Sequence, residues 1–306
     1  MNIVCDKTLL SAAIDGVSKA VTMRSSIPVL EGILLKAEGF QLTLTGYDLE
    51  MGIVTTIEAN IKEPGEIVLN AKLLSSMISR MPAGQISIVA ADNGKTTIQS
   101  GVAQFEIQSM PATDFPDLPN TGAEQTLTIK TGVLRDMIDR TLYAVSQDEK
   151  KPAHTGELFE IELDKLTMVA LDGYRLAIVE RPITAVKDIR IIVPSKTMTE
   201  VSHLLANDDE EDVHISANRR YVVFTTAGYT IMSRLIEGEF LNYRNVIPAG
   251  SRTRVTIDTK DFISTIERAS LIITERLKNP LRISFTEGKV CLLYTSDAAD
   301  DTPCVD

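Results

Sequence analysis

Histidines and clustered carboxylates are the residues here whose types could support catalysis or bind a metal. The histidines are His154, His203 and His214, and none has the spacing of a metal-binding pair such as HxxxH or HExxH. The acidic run at residues 208–212 (DDEED) could suggest metal binding. Runs of like charge repel one another and usually form solvated loops, so a loop is the favoured interpretation. We expect no metal site and no cofactor.

Motifs for nucleophilic or phosphate chemistry are missing from the sequence. It contains no GxSxG, no GxGxxG and no glycine-rich phosphate loop, and no nucleophile–base pair stands out. An enzyme that uses Asp172, Tyr174 and Arg175 is an alternative, although nothing suggests its substrate. The residues alone therefore favour a non-catalytic binding or scaffold protein.

Basic residues that could contact phosphates fall on or beside predicted helices. The formal net charge is −11, so the chain should repel nucleic acid on average, and contact would need local basic patches. Carboxylates at Asp15, Asp136, Asp139 and Glu267 interrupt this stripe, so any contact with DNA would be weak and independent of sequence. Ordinary solvated helix faces are the alternative. The basic residues are Lys7, Lys19, Lys72, Arg80, Arg135, Arg140, Lys196, Lys260 and Arg268.

A helix predicted over residues 9–21 is the element around which the rest of the chain is organised. Its apolar residues recur at i, i+3, i+4 and i+7, the pattern of one helix face. The pattern returns 124 residues later at 133–145 and, more weakly, at 262–273. Other positions keep the offset of 124, including Gly32 with Gly156. A period this long indicates a duplicated domain rather than a solenoid.

Alternating stretches between the helices predict antiparallel strands. They span residues 29–37, 41–45, 52–59 and 66–69, and a second helix is predicted over 71–81. Two hairpin strands (85–90 and 95–100) and a stretch at 105–109 follow. The predicted class is α+β, with repeated domains that each pack two helices on antiparallel sheets. Predicted boundaries are 1–122, 123–250 and a partial third domain at 251–290, which begins with a strand near Thr253.

The last residues, 291–306, match neither earlier copy. Residues 291–300 (CLLYTSDAAD) resemble the translation of a transposase sequencing adapter. We hypothesise that the natural reading frame is interrupted near Val290 and that this tail is not native; a divergent end is the alternative. The cysteines are Cys5, Cys291 and Cys304, without CxxC, which favours a reduced, cytoplasmic compartment. No apolar run approaches the roughly 20 residues that span a bilayer, so no membrane contact is expected.

Several motifs resemble one family, the bacterial DNA polymerase III beta subunits or sliding clamps. The resemblance runs from Met1 to about Val290, and the fold it implies is the DNA-clamp fold. The motifs are 27–30 (IPVL), 44–50 (LTGYDLE), 114–116 (DFP), 170–176 (ALDGYRL), 192–196 (IVPSK), 238–240 (GEF), 243–244 (YR) and 247–248 (IP).

This resemblance implies a head-to-tail homodimeric ring without catalysis. Sheets form its outside, helices line the hole, and duplex DNA threads it. The ring tethers DNA polymerase III for processive replication, and its partners are the polymerase alpha subunit, the clamp loader and repair polymerases, which bind through short hydrophobic peptides. An acidic scaffold of the same fold that does not encircle DNA is the alternative. Residues matching the family's DNA contacts are Arg24, Gln147, Lys150, Lys151 and Lys196.

Two further sets of residues match family sites. Where Leu241 stands, proline is common in relatives, which would alter the preferred peptides. Core packing at a strand end is the alternative for Tyr174 and Leu176. The partner-peptide pocket matches Leu171, Gly173, Tyr174, Arg175, Leu176, Leu241, Val246 and Pro248. The dimer interface matches Phe105, Leu271 and Ile272.

Overall fold

The computed structural model describes residues 1–22, 24–122, 124–226, 228–271, 281–294 and 304–305. The chain divides into two compact units, Met1–Leu241 and Asn242–Asp306. Among the described residues, no helix is long and apolar enough to cross a membrane.

The first unit begins with one copy of a fold in which two helices accompany antiparallel strands, and this copy ends near residue 110. Its helices are α1 (Lys7–Ser18) and α2 (Ala71–Arg80). Its strands are β1 (Asn2–Asp6), β2 (Gly32–Glu38), β3 (Gln41–Tyr47), β4 (Met51–Glu58), β5 (Asn60–Glu63), β6 (Gly65–Asn70), β7 (Gln85–Ala90), β8 (Lys95–Ser100) and β9 (Ala103–Gln108).

A second copy follows in the same order, without a counterpart of the short β5. Its helices are α3 (Thr131–Thr141) and α4 (Ser195–Leu204). Its strands are β10 (Glu124–Lys130), β11 (Gly156–Ile161), β12 (Lys165–Leu171), β13 (Leu176–Pro182), β14 (Ile189–Pro194), β15 (Asp212–Ala217), β16 (Tyr221–Thr226) and β17 (Tyr229–Arg234).

Antiparallel pairing arranges these strands in three sheets of the first unit. Their orders are β5-β1-β7-β8-β9, then β10-β15-β16-β17-β4-β3-β2-β6, and finally β13-β12-β11-β14. The order β4-β3-β2-β6 in the first copy has the same connections as β13-β12-β11-β14 in the second. The predicted α+β class, with two helices and antiparallel sheets in each copy, is confirmed. The boundaries at 122 and 250 stay predictions.

The copies are joined by a strand pair in the middle of the eight-stranded sheet. Strand β17 pairs antiparallel with β4, so that Ile231 lies opposite Ile53, and both are fully buried. Two ion pairs cross the same joint: Lys196 Nζ lies 2.5 Å from Asp48 Oδ2, and Lys19 Nζ lies 3.1 Å from Glu200. The first two copies therefore share one continuous sheet.

The apolar helix faces are buried against the sheets as the period predicts. On α1, Leu10, Ile14 and Val17 are buried, and on α3, Leu134 and Ile138 are buried. Burial of a side chain of this size stabilises the fold by about 1.5–3 kcal/mol. The spacing of the apolar residues thus determines which face of each helix packs on the sheet, and the polar residues lie on the opposite face.

Local signals explain where the elements begin. Asp6 precedes α1, and its Oδ1 accepts hydrogen bonds from the backbone N–H groups of Thr8 (2.7 Å) and Leu9 (3.2 Å). The strand predicted from residue 29 instead begins at Gly32, because Pro28 opens a 3-10 helix over Pro28–Glu31. Proline fixes φ near −65° and favours such a turn.

The second unit has a 3-10 helix over Tyr243–Val246, one α-helix and three strands among its described residues. The α-helix and the strands are α5 (Thr259–Ser270), β18 (Leu281–Thr286), β19 (Lys289–Tyr294) and β20 (Cys304–Val305). The predicted strand near Thr253 is wrong, since residues 251–258 form neither helix nor strand. The tail is not wholly irregular, because β20 pairs with β19 with Cys291 opposite Cys304.

Candidate nucleic-acid and peptide interface

The loop that carries Gln147, Lys150 and Lys151 is held by its own backbone turns. Asp148 N–H donates to Ser146 Oγ (3.0 Å), and Asp148 Oδ1 accepts from Lys150 N–H (3.1 Å). The backbone N–H of Lys151 donates to the Asp148 carbonyl at 3.1 Å. These bonds place all three candidate side chains in solvent. Among the described residues, neither lysine has a carboxylate within 4.0 Å.

Arg24 lies in the loop after α1 and is also exposed. Hydrogen bonds stabilise the loop immediately after Arg24: Ser25 N–H donates to Glu31 Oε1 (3.2 Å), and Ile27 N–H donates to Ser25 Oγ (3.0 Å). Within the described part of the chain, Arg24 has no ion-pair partner within 4.0 Å. Its guanidinium is therefore available to a phosphate, the role that the resemblance implies.

Lys196 differs from these cations, since it holds the joint between the copies. It is the second residue of α4, and its ammonium lies 2.5 Å from Asp48 Oδ2. The lysine side chain is 58% exposed, whereas the Asp48 side chain is 11% exposed. A phosphate that approached Lys196 would compete with this carboxylate, so its expected contribution to DNA contact is smaller than that of Lys150 or Lys151.

Lys7, Lys19, Arg135 and Arg140, on or beside the helices, have acidic or carbonyl partners. Lys7 donates to the carbonyl of Met81, Arg135 to Asp209, and Arg140 Nε to Asp136 Oδ1 at 2.6 Å. Arg140, together with Arg181, keeps the pKa of the Asp136 carboxyl below its usual value. Pairing within the chain thus leaves fewer of these cations for a phosphate, and this favours weak phosphate contact.

Residues 171–176 form a tight turn between β12 and β13. Asp172 Oδ1 accepts from the backbone N–H groups of Tyr174 (2.9 Å) and Arg175 (3.0 Å), and Gly173 adopts φ +92°. These bonds lower the pKa of the Asp172 carboxyl, with Arg175 Nε at 2.8 Å from Oδ2 adding to the effect. A carboxylate engaged in this way is a poor general base, which argues against the enzyme alternative.

The turn presents Tyr174 fully to solvent. Its side chain is 100% exposed, so the core-packing alternative is wrong for Tyr174. The Arg175 guanidinium lies 5.5 Å from the ring centre of Tyr143, within the range of a cation–π contact. Leu171 is buried and Leu176 half-buried. An exposed phenol beside a stacked guanidinium offers both an apolar surface and donors to a peptide.

One cleft is lined both by a residue of the predicted DNA contact and by residues of the predicted peptide pocket. Its walls include Gln147 from the loop after α3, Tyr174 and Arg175 from the turn, and Ser195 at the start of α4. Tyr143 also lines it and was not anticipated from the sequence. The sequence does show that Tyr143 departs from the repeat, because Lys19 stands at the equivalent position of the first copy. This difference between the copies is the feature that could have indicated a role for Tyr143.

The remaining pocket and interface residues lie elsewhere. Leu241 ends the first unit and is 44% exposed, while Val246 and Pro248 belong to the second unit, where both are exposed. Phe105 lies on β9 and Leu271 follows α5 with 81% exposure. Ile272 lies outside the described residues. Within the described part of the chain, no group of three or more metal-ligating side chains occurs.

Comparison with known families matches both copies. The family model "DNA polymerase III beta subunit, N-terminal domain" matches residues 1–119. The model "DNA polymerase III beta subunit, central domain" matches residues 128–242.

Individual relatives agree with these matches. The beta sliding clamp of Bacillus subtilis strain 168 is 31% identical over 294 residues, which is 93% of this chain and 78% of that protein. The beta sliding clamp of Halalkalibacterium halodurans is 33% identical over 287 residues, 90% of this chain and 75% of that protein.

Solved structures show the same fold. The crystal structure of the Bacillus subtilis DNA polymerase sliding clamp has a TM-score of 0.94 at 28% identity and covers 100% of this chain and 83% of that one. The sliding clamp of Pseudomonas aeruginosa bound to griselimycin has a TM-score of 0.92 at 28% identity, with coverage of 100% and 83%. The chain therefore belongs to the family of bacterial DNA polymerase III beta subunits, the beta sliding clamps.

Proposed function

We propose that this chain is a non-catalytic clamp that encircles duplex DNA and tethers DNA polymerase III. The observation that carries the proposal is the pair of equivalent copies joined through one continuous sheet at β17 and β4. A joint of this kind is head-to-tail, because one copy contributes β17 and the other contributes β4. Head-to-tail contacts that recur between successive copies form a ring when the rotation between the copies closes. Family membership supports the same conclusion.

We propose that Arg24, Gln147, Lys150 and Lys151 contact the DNA backbone. All four are exposed, and their loops are held by local hydrogen bonds. Contacts of this kind position a protein on DNA without reading its sequence. Lys196 contributes less, because Asp48 already neutralises part of its charge.

We propose that the turn at Tyr174 and Arg175 receives short hydrophobic peptides from polymerase, clamp loader and repair polymerases. The cleft beside it combines an exposed aromatic ring with a cation–π pair. Such a surface suits an apolar anchor with a polar rim. Griselimycin, which is bound to the Pseudomonas aeruginosa relative, is a suitable probe.

Retention on circular and linear duplexes tests encirclement. The full chain, loaded with a clamp loader on a nicked circle, should remain bound until the circle is cut, and should then slip off the ends. Equal retention on both forms would contradict encirclement and favour the acidic scaffold alternative. A head-to-tail interface of Phe105 with Leu271 and Ile272, as the resemblance implies, is part of this proposal.

A further inference from the structure

A carboxylic acid replaces an apolar core residue in the second copy. Glu157 lies at the offset of 124 from Ile33, and Thr141 lies at the same offset from Val17. All four side chains are fully buried. Because the first copy fills both positions with aliphatic side chains, the fold itself does not require the acid. The pair of Glu157 and Thr141 therefore distinguishes the second copy from the first.

Glu157 is hydrogen-bonded to the last residue of α3. Its Oε1 lies 2.7 Å from Thr141 Oγ1, and its Oε2 has no hydrogen-bond partner among the described residues. The Thr141 hydroxyl also lies 2.8 Å from the Met137 carbonyl, which can only accept a hydrogen. The one hydroxyl hydrogen therefore goes to Met137, and the carboxyl group supplies the hydrogen between Thr141 and Glu157. This geometry requires a neutral, protonated Glu157.

The bond between Glu157 and Thr141 lies where α3 leads into the wall of the peptide cleft. Thr141 ends α3, and the 3-10 turn Leu142–Ala144 follows it directly. Tyr143, in the middle of this turn, lines the cleft, and the Arg175 guanidinium lies 5.5 Å from its ring centre. The position of Tyr143 in the cleft therefore depends on how the end of α3 is held.

Packing connects the same turn to the two strands of the peptide site. Ala144 lies in a small buried cluster with Ala170 and Ala177, and Val145 packs against this cluster. Ala170 and Ala177 are directly opposed on β12 and β13, immediately before and after the turn at residues 171–176. Because alanine side chains cannot adjust by changing rotamer, a shift of Ala144 also displaces the backbone of both strands.

We propose that Glu157 is a positioning residue for the peptide site: its neutral form holds the end of α3 so that Tyr143 lies against Arg175, and its ionised form releases this turn. The inference rests on the peptide site proposed above. An ionised Glu157 can take only the hydroxyl hydrogen of Thr141, which the Met137 carbonyl then loses. Since an unpaired charge is costly to bury, ionisation favours a displaced turn that lets water reach the carboxylate.

No ion pair within the described part of the chain compensates an ionised Glu157. The elements packed against it are α3, α4, β12, β14 and the 3-10 turns on either side. Burial without a neighbouring opposite charge raises the pKa of Glu157 to about 8. The titratable and charged residues of those elements are Arg135, Asp136, Asp139 and Arg140 on α3, Tyr143 and His154 on the turns, Lys165 on β12, Arg190 on β14, and Lys196, Glu200 and His203 on α4.

Peptide affinity should therefore fall as the pH rises through about 8. The pKa in the folded state lies above the ordinary value of 4.5, so Glu157 is mostly neutral at pH 7 and mostly ionised at pH 9. The affinity follows the population of the neutral form, which alone presents Tyr143 correctly. That population falls about tenfold between pH 7 and pH 9, so the dissociation constant of griselimycin should rise about tenfold.

Fluorescence anisotropy of labelled griselimycin with the full chain at pH 7, 8 and 9 measures this profile. Glu157→Gln stays neutral and can still donate to Thr141, so its dissociation constant should change less than about twofold over this range. Thr141→Val/Glu157→Ile, which reproduces the pair of the first copy, should also lack the profile. Glu162→Gln is the matched control, because Glu162 is exposed just after β11 and should keep the wild-type profile. A wild-type affinity independent of pH, or a profile that Glu157→Gln retains, would overturn the proposal.

Hydrogen exchange tests the same step without a ligand. At pH 9, the amides of residues 142–147 should exchange about tenfold faster in the wild-type chain than in Glu157→Gln, and the two should agree at pH 6.5. Comparison at one pH cancels the chemical exchange rate. Residues 18–22, the equivalent turn of the first copy, are the internal control and should agree at both pH values.

The exchange result also separates this inference from the peptide site on which it rests. Equal exchange of residues 142–147 at pH 9 would overturn the proposal, and so would a matching increase at residues 18–22, because the effect would then be global. Absence of griselimycin binding by every variant would count against the proposed peptide site. The exchange comparison would then decide by itself whether Glu157 holds the turn.

Discussion

Glu157 is a carboxylic acid inside the second copy. It lies on β11 and is fully buried; its Oε1 lies 2.7 Å from Thr141 Oγ1, and its Oε2 has no hydrogen-bond partner among the described residues. Thr141 Oγ1 is also 2.8 Å from the Met137 carbonyl, to which it can donate its one hydrogen. The hydrogen shared with Glu157 then comes from a protonated carboxyl. Burial raises the pKa of Glu157 to about 8.

We predict that this group makes the protein less stable as the pH rises. The pKa of about 8 in the folded state exceeds the ordinary value of 4.5, so between these values the folded state binds the extra proton. The free energy of unfolding should therefore fall from about pH 4.5 to about pH 8 and level off above it. Glu157→Gln, which is neutral throughout, should remove this slope and stabilise the chain at pH 8 by on the order of a few kcal/mol.

Thermal unfolding at several pH values measures this effect. Glu162→Gln is the control, because Glu162 is exposed and should leave the slope unchanged. A slope that survives in Glu157→Gln would show that other groups cause it.

Tyr174 permits a test of the peptide site that leaves the fold intact. Its side chain is 100% exposed, so Tyr174→Ala should change the free energy of unfolding by less than about 0.5 kcal/mol. Loss of an aromatic anchor should weaken griselimycin or polymerase-peptide binding about tenfold or more. Fluorescence anisotropy measures the affinity, and Tyr221→Ala on β16 serves as a tyrosine control. Unchanged affinity would remove Tyr174 from the site.

The sequence could place these residues on elements but could not supply their partners. Asp172, Tyr174 and Arg175 belong to a family motif, so their turn was predictable from local sequence. The ion pair of Lys196 with Asp48 joins residues 148 positions apart, and the stacking of Arg175 on Tyr143 depends on how α3 meets β12. Contacts of this kind are set by tertiary packing, which periodicity does not report.

At the scale of elements, β9 and β17 are the last strands of the first and second copies, but β9 ends its sheet whereas β17 has β4 beside it, so they yield a matched pair of substitutions. Ile231→Ala deletes a fully buried side chain at the joint and should destabilise the chain by about 2–5 kcal/mol. Phe105→Ala removes a larger side chain, but one that is 38% exposed, and should cost less in dilute protein. Urea unfolding of both variants measures the difference. A greater loss in Phe105→Ala at low concentration would contradict the assignment of β9 as an open edge.

Long periodic elements were predictable, and short ones were not. Helix α2 ends at Arg80, one residue before the predicted end, because its apolar face and Pro82 mark the limits well. Strand β5 was missed, since its four residues, Asn60–Glu63, are mostly polar and form because β1 lies beside them. The second copy has no equivalent strand, so comparison of the two copies could not predict β5.

At the scale of the whole molecule, a net charge of −11 must be reconciled with DNA contact. Pairing within the chain neutralises many helix cations, including Arg135, Arg140 and Lys196. The exposed cations of the loops, Arg24, Lys150 and Lys151, retain their charge for phosphates. Few unpaired cations against an acidic background give weak binding, which suits a clamp that must move along its duplex.

The salt dependence of DNA binding distinguishes the two kinds of lysine. Each lysine that neutralises a phosphate contributes about 0.9 to the slope of log K against log salt concentration. The double variant Lys150→Ala/Lys151→Ala should therefore lower that slope by about two. Lys196→Ala should lower it by less than one, because its charge is already shared with Asp48. Equilibrium binding of a short duplex at a series of salt concentrations measures the slope, with Lys62→Ala as the control. A larger decrease for Lys196→Ala than for the double variant would mean that DNA displaces Asp48 and that the helix, rather than the loop, forms the principal phosphate contact.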